Sequence, residues 1–293
     1  MNKVIPVLLG LAIASAGSAF TAAQQSQAPP KVLTLAREFL KPGKAGDIHD
    51  RSESRFVAAM AAAKWPTRYV ALNSLSGKTR ALYLTGYDSF DAWQKDTDAT
   101  MKNTAFASTL DRIEASDGDL LSDFDQAVLY YEPDQSLRSS GDLTNIRYLE
   151  FSVFKIKPGH NKEWDEVVKM VIAAHLKAND SANWGTYSLA YGGSGDEYIF
   201  ISGDKTLADI DTGFAENKKF VEAMGEDGMK KLGELAAACI DSSDNELFSI
   251  NPKQSYPVDA WVKGNPDFWK PKAGMAMPKP AAAPAKPAPA DKK

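Results

Sequence analysis

The chain is 293 residues long, with a formal net charge of −4, 44% hydrophobic residues and one cysteine. The acidic balance argues against a nucleic-acid binder, and the single Cys239 excludes an intrachain disulfide framework. Stability must therefore come from packing, and the roughly 240 residues between the two ends suffice for two compact units.

Residues 1–23 read as an export signal. Asn2-Lys3 is a short basic start, Val4 to Ala16 is apolar apart from Pro6 and Ser15, and Thr21-Ala22-Ala23 offers cleavage before Gln24. The apolar run falls short of the about 20 residues a membrane span needs. An exported protein, periplasmic or extracellular, with no transmembrane segment after cleavage is expected; an uncleaved anchor is the competing reading. Residues 24–30 form a linker, and losing Lys3 takes the charge to −5.

A first unit, 31–136, opens with a strand, Val32 to Leu40, closed by Pro42-Gly43. An Ala-rich helix from Asp47 to Lys64 follows, with Ile48, Phe56, Val57 and Met60 near helical spacing. Arg68 to Leu72 and Ala81 to Thr85 form a hairpin around Ser76-Gly77. A second helical region enters at Asp88-Ser89 and breaks near Asn103, before a last strand, Ala127 to Tyr131.

After a linker, 137–145, the same order recurs in 146–256. Lys41-Pro42-Gly43 returns as Lys157-Pro158-Gly159, an offset of 116 (158 − 42), and Pro133 returns as Pro252, an offset of 119 (252 − 133). Such a drift is what one duplication with small insertions leaves, and the repeat is domain-sized. The second unit runs Tyr148 to Ile156 (strand), Glu163 to Lys177 (helix), Tyr187 to Tyr191 and Tyr198 to Ser202 (hairpin), a helical region broken near Gly225, and Glu246 to Ile250 (strand). Gly192-Gly193-Ser194-Gly195 is a hairpin turn, because it lies between strands and not before a helix. Cys239 aligns with Leu120 and reads as a small buried apolar residue; the recurrent Trp65 and Trp184 read as packing. An aromatic arm, 257–275, carries Trp261 and Trp269, which staple it to the body or meet a partner. Residues 276–293 are a disordered Pro/Ala/Lys-rich tail whose lysines could contact an anionic cell surface.

The order βαββαβ is a ferredoxin-like unit, with both helices on one sheet face and the other face in need of cover. On this element order, on Pro-Gly after the first strand and on Phe90-Asp91-Ala92-Trp93, the chain resembles the dimeric α/β-barrel superfamily. That resemblance implies an α+β fold of tandem ferredoxin-like units closing into an intrachain pseudo-dimeric α/β barrel. Two units joined like beads is the alternative packing.

Strand alternation puts Leu82, Leu84, Ile199 and Ile201 under the helices. It then turns Tyr83, Thr85, Phe200 and Ser202 into the barrel, with Thr34, Ala36, Glu38, Glu150, Ser152, Phe154, Tyr130 and Ser249. Tyr83, Tyr130, Phe154 and Phe200 are thus the ligand-binding candidates for a small hydrophobic or aromatic molecule. Glu38 and Glu150 are catalytic candidates, since aromatic walls would raise a carboxyl pKa towards general-base range. The simpler reading pairs Glu150 with Arg147 or Arg68 and leaves Glu38 in water. His175 is a third candidate, because haem-binding members of the superfamily use helix histidines; otherwise it is a surface or half-buried histidine. No Cys-x-x-Cys-His, His-Glu-x-x-His or paired-cysteine spacing occurs, so no cofactor or metal is expected, and Asp117-Gly118-Asp119 reads as a solvated linker. The resemblance also implies cofactor-free monooxygenase chemistry as an alternative, although the Asn-Trp-His constellation of those enzymes is missing. A binding protein is the favoured expectation.

Overall fold

The computed structural model describes residues 28–193 and 195–270. The export leader, its cleavage site, the Pro/Ala/Lys-rich tail and Ser194 of the hairpin turn lie outside them. The first unit contains β1 (Val32–Leu40), α1 (Asp47–Ala63), β2 (Tyr69–Ser74), β3 (Arg80–Tyr87), α2 (Phe90–Lys102), α3 (Thr104–Asp117) and β4 (Leu121–Tyr131). The second contains β5 (Tyr148–Ile156), α4 (Asn161–Ala178), β6 (Gly185–Tyr191), β7 (Asp196–Asp204), α5 (Leu207–Cys239) and β8 (Ile240–Ile250). Two short helices, α6 (Asp259–Gly264) and α7 (Pro266–Trp269), follow.

Local chemistry sets the helix boundaries. Asn103 separates α2 from α3, and its side chain accepts a hydrogen bond from Phe106 N, capping the second helix. In α5 the break is Gly225, at φ 74° and ψ 168°, a conformation open essentially to glycine that costs a side chain about 1–3 kcal/mol. Thr206 and Asp209 cap the same helix reciprocally. The closing strands β4 and β8 begin earlier than alternation suggests. Their first halves are polar and exposed, held by pairing with β1 and β5 and by ion pairs such as Arg37–Asp125.

The eight strands form a closed antiparallel barrel in the order β1-β3-β2-β8-β5-β7-β6-β4. Read round the ring, this is two ferredoxin-like sheets, β4-β1-β3-β2 and β8-β5-β7-β6, each with the same internal order. The seams are β2–β8, where Leu72 faces Ile250, and β4–β6, where Leu129 faces Leu189. Closure removes all four sheet edges and buries the two bare faces against each other. The tandem ferredoxin-like barrel is therefore the fold, and the beaded arrangement is excluded.

The barrel interior is one cluster drawing Leu33, Leu35, Val70, Leu72, Leu82 and Leu84 from one sheet and Leu149, Phe151, Ile199, Phe248 and Ile250 from the other. This inverts the expected facing. Leu82, Leu84, Ile199 and Ile201 look inward, whereas Tyr83, Thr85, Phe200, Ser202, Glu38, Glu150, Ser152, Phe154 and Ser249 lie on the outer faces, most of them beneath the helices. Alternation separates two faces without saying which is inner. The aliphatic set wins the interior because both sheets exclude water there, leaving no partner for a polar group.

Phe154 and Phe200 instead join Trp164, Trp184, Val168, Phe220 and the buried Cys239 beneath α4 and α5. Trp65 stacks on Phe106 at 4.5 Å and donates to Asp96 Oδ1, so both recurrent tryptophans are packing residues. The arm folds back over one barrel end: Trp261 stacks on Trp269, which belongs to the interior cluster and donates to Thr144 O.

Candidate functional site

At the barrel end beneath the arm lies a cavity of about 430 Å³. Its floor is the interior cluster, with Leu33, Val70 and Leu84 from the first unit and Leu149, Tyr187 and Ile201 from the second. Trp261 forms part of its wall, and the buried indole N–H of that residue has no acceptor. The 139–143 segment of the inter-unit connection and Pro29-Pro30 also border it. The volume is within the range of about 300–1,000 Å³ common for small-molecule pockets. Its chemistry is an apolar floor, one unsatisfied N–H donor and a rim that includes Arg68 and Asp88.

A second, chemically different centre lies between the first sheet and its helices. The N-terminal part of α1 turns a polar face inwards: His49, Ser52 and Glu53 are buried, while Ile48 is exposed. His49 and Glu53 stand one turn apart, with Nε2 and Oε1 separated by 3.9 Å. Glu38 of β1 places Oε2 3.0 Å from His49 Nε2, and Asp117 at the end of α3 completes the group. The four ligand-capable atoms lie within 4.8 Å of one another.

Burial here is deep: His49 is 1% exposed, Asp117 2% and Glu53 3%. Among the described residues both carboxylate oxygens of Asp117, Glu53 Oε1 and the hydroxyls of Tyr69 and Tyr83 have no hydrogen-bond partner of good geometry, although the Glu53 carboxyl lies against both Tyr83 and Asp117. Burial first, then the negative charges of Glu38 and Asp117, push the Glu53 carboxyl up to about 9. The Tyr83 and Tyr69 phenols are raised too, by burial first and then by the neighbouring carboxylates. On the far side, Gln254, which follows β8, places Nε2 3.1 Å from His49 Nδ1 and 3.0 Å from Asp50 Oδ1. With the amide donating to both, the imidazole proton sits on Nε2 and is donated to Glu38.

Of the sequence candidates, the structure brings Glu38 and Tyr83 to this centre and sends the rest elsewhere. Glu150 sits beside Asp204, fully buried at the end of β7, and meets neither Arg147 nor Arg68. Arg147 lies over the Phe268 ring, and Arg68 approaches Asp259. Burial raises the Glu150 carboxyl, and burial followed by the Glu150 charge pushes Asp204 up to about 8. Tyr130 is 43% exposed and stacks with Phe90, away from both centres.

His175 is buried against Phe220 and Trp184, not at the surface, and its Nδ1 lies 2.7 Å from Asp180 Oδ2. Burial lowers its pKa, partly opposed by Asp180. Its Nε2 has no partner among the described residues, and the ring, walled by aromatic side chains, does not line the arm-side cavity.

Sequence reasoning missed His49, Glu53, Asp117 and Gln254. The available signal was the i, i+3, i+4 spacing of His49, Ser52 and Glu53, a second and polar stripe on α1. Asp117 is no solvated linker; it is a buried carboxylate.

No family model matches the chain, and no curated protein does. Solved structures overlap it loosely. A presumed monooxygenase from Lactobacillus acidophilus NCFM is 8% identical, with a TM-score of 0.48, over 76% of this chain and 94% of that one. An anthrone oxidase-like protein is 13% identical, with a TM-score of 0.49, over 75% and 92%. A mutant chlorite dismutase from Candidatus Nitrospira defluvii is 9% identical, with a TM-score of 0.47, over 80% and 96%. The fold assignment stands on the strand order alone, and no residue role is carried across.

Proposed function

We propose that the protein binds a small, largely apolar organic molecule in the cavity at the arm-covered end of the barrel. The observation that carries this reading is the cavity of about 430 Å³ floored by interior side chains of both units, with the buried, acceptor-less indole N–H of Trp261 in its wall. An apolar body would rest on Leu33, Leu84, Leu149 and Ile201, and one acceptor oxygen would take the Trp261 proton. Charged ligands fit poorly, because the floor offers no counter-charge. Consistent with the export signal expected in 1–23, such binding would take place outside the cytoplasm.

The probe is the uncharged N-phenyl-1-naphthylamine, followed by its own fluorescence and by quenching of tryptophan emission. Wild-type protein should bind it saturably, and Leu84→Trp, which fills the floor, should abolish the probe's fluorescence. Trp261→Phe should keep the apolar contact and reduce, without abolishing, the tryptophan quenching, because Trp184 also lines the cavity. Undiminished binding by Leu84→Trp would refute the reading.

A further inference from the structure

We propose that Glu38, His49, Glu53 and Asp117 form a binding site for one divalent first-row metal ion of the Mn(II), Fe(II) or Zn(II) type. Three carboxylates and an imidazole converge from β1, α1 and α3 with their ligand atoms within 4.8 Å of one another. Bonds of about 2.0–2.2 Å to nitrogen and oxygen leave neighbouring ligand atoms about 3–3.5 Å apart. The 3.0 Å and 3.9 Å separations from His49 Nε2 to Glu38 and Glu53 need only a small contraction to meet this.

Independent of the clustering, buried Asp117 has no hydrogen bond of good geometry to either oxygen among the described residues, nor has Glu53 Oε1, although the Glu53 carboxyl lies against Asp117 and Tyr83. A protein interior does not ordinarily leave carboxylate oxygens of this kind without a donor or a cation. Among the described residues nothing else in contact supplies a full positive charge: Lys253 reaches Asp50 and Asp47 on the outer side of α1, and Arg55 turns to Ser52 and Ser116. The unpartnered hydroxyls of Tyr69 and Tyr83 are suited to donate to the carboxylate oxygens a metal leaves free.

The donor set narrows the ion. Three hard oxygens disfavour Cu(I), and an imidazole ligand disfavours Ca(II) and Mg(II), which take oxygen almost exclusively. Metal at His49 Nε2 requires the ring proton on Nδ1. Gln254 Oε1 can accept it once the amide turns over, a swap that gives up the Gln254–Asp50 hydrogen bond, while Asp50 keeps Asn251 Nδ2 at 2.8 Å and Lys253 Nζ at 3.1 Å. Only His49 and Glu53 share an element, at i, i+4, so the sequence spacing announces half of the set.

The full chain, stripped with EDTA and exchanged into chelator-free buffer, is titrated calorimetrically with MnCl₂, ZnCl₂ and MgCl₂. A single saturable site for Mn(II) or Zn(II), with Mg(II) much weaker, is expected. Glu53→Gln and Asp117→Asn should each weaken it about tenfold or more, with far-UV circular dichroism confirming the fold. Wild-type protein loaded with Mn(II) should show nitrogen modulation in its electron spin echo, from His49. Absence of saturable uptake, uptake unchanged in both carboxylate variants, or an Mn(II) echo without nitrogen coupling would each overturn the site. None of these readouts involves the arm-side cavity, so they stand or fall apart from organic-ligand binding.

Discussion

Replacing Asp204 by Asn should change how stability depends on pH. Asp204 is fully buried beside Glu150, with Asp209 at the start of α5 adding further negative charge. Its carboxyl is raised from an ordinary 3.8 to about 8. Between those values the folded chain holds a proton that the unfolded chain has released. This contribution to stability is therefore complete below about pH 4, declines as pH rises and is gone above about pH 8. About four pH units at about 1.4 kcal/mol each set a ceiling of about 6 kcal/mol. Water entering from the cavity beside Ser202 and Gly203 screens part of this, so about 3 kcal/mol is expected. Urea unfolding with EDTA present, followed by tryptophan emission at pH 4.5 and 8.5, measures it. Wild-type protein should lose about 3 kcal/mol more than Asp204→Asn between the two pH values. Equal losses, or a greater loss in the variant, would refute the argument that the pair holds a proton.

Three other predictions address the fold. Trp184→Ala removes a fully buried ring packed on Phe200 and His175 and should cost about 3–5 kcal/mol in chemical denaturation. Gly225→Ala places a side chain at φ 74° and ψ 168° and should cost about 1–3 kcal/mol, although space around that position is open. Residues 146–270 expressed alone would bare Leu149, Phe151, Ile199 and Phe248. Analytical ultracentrifugation should find dimers or larger species instead of a stable monomer.

Most elements were legible because their signals are local. Pro42-Gly43 and Pro158-Gly159 close the first strands, Asn103 and Gly225 break the second helical regions, and duplication allows each unit to check the other. The facing of the sheets was not legible. Leu82 and Tyr83 are both hydrophobic enough to be buried, and only the meeting of two aliphatic faces decides between them. The polar centre was hidden for a related reason. The apolar spacing of Phe56, Val57 and Met60 describes the C-terminal part of α1, while its N-terminal turns bury His49 and Glu53. Such burial is tolerable only beside groups from β1, α3 and the segment after β8, whose proximity is purely tertiary.

Gln254 gives that last segment an additional role. It belongs to the second repeat yet touches an imidazole of the first, across more than two hundred positions of chain. The first repeat therefore cannot finish its own polar heart; it must wait until the polypeptide has travelled the whole ring and returned. Any event that loosens the β2–β8 join would be felt at once by His49, making that histidine an internal reporter of whether the circle is shut.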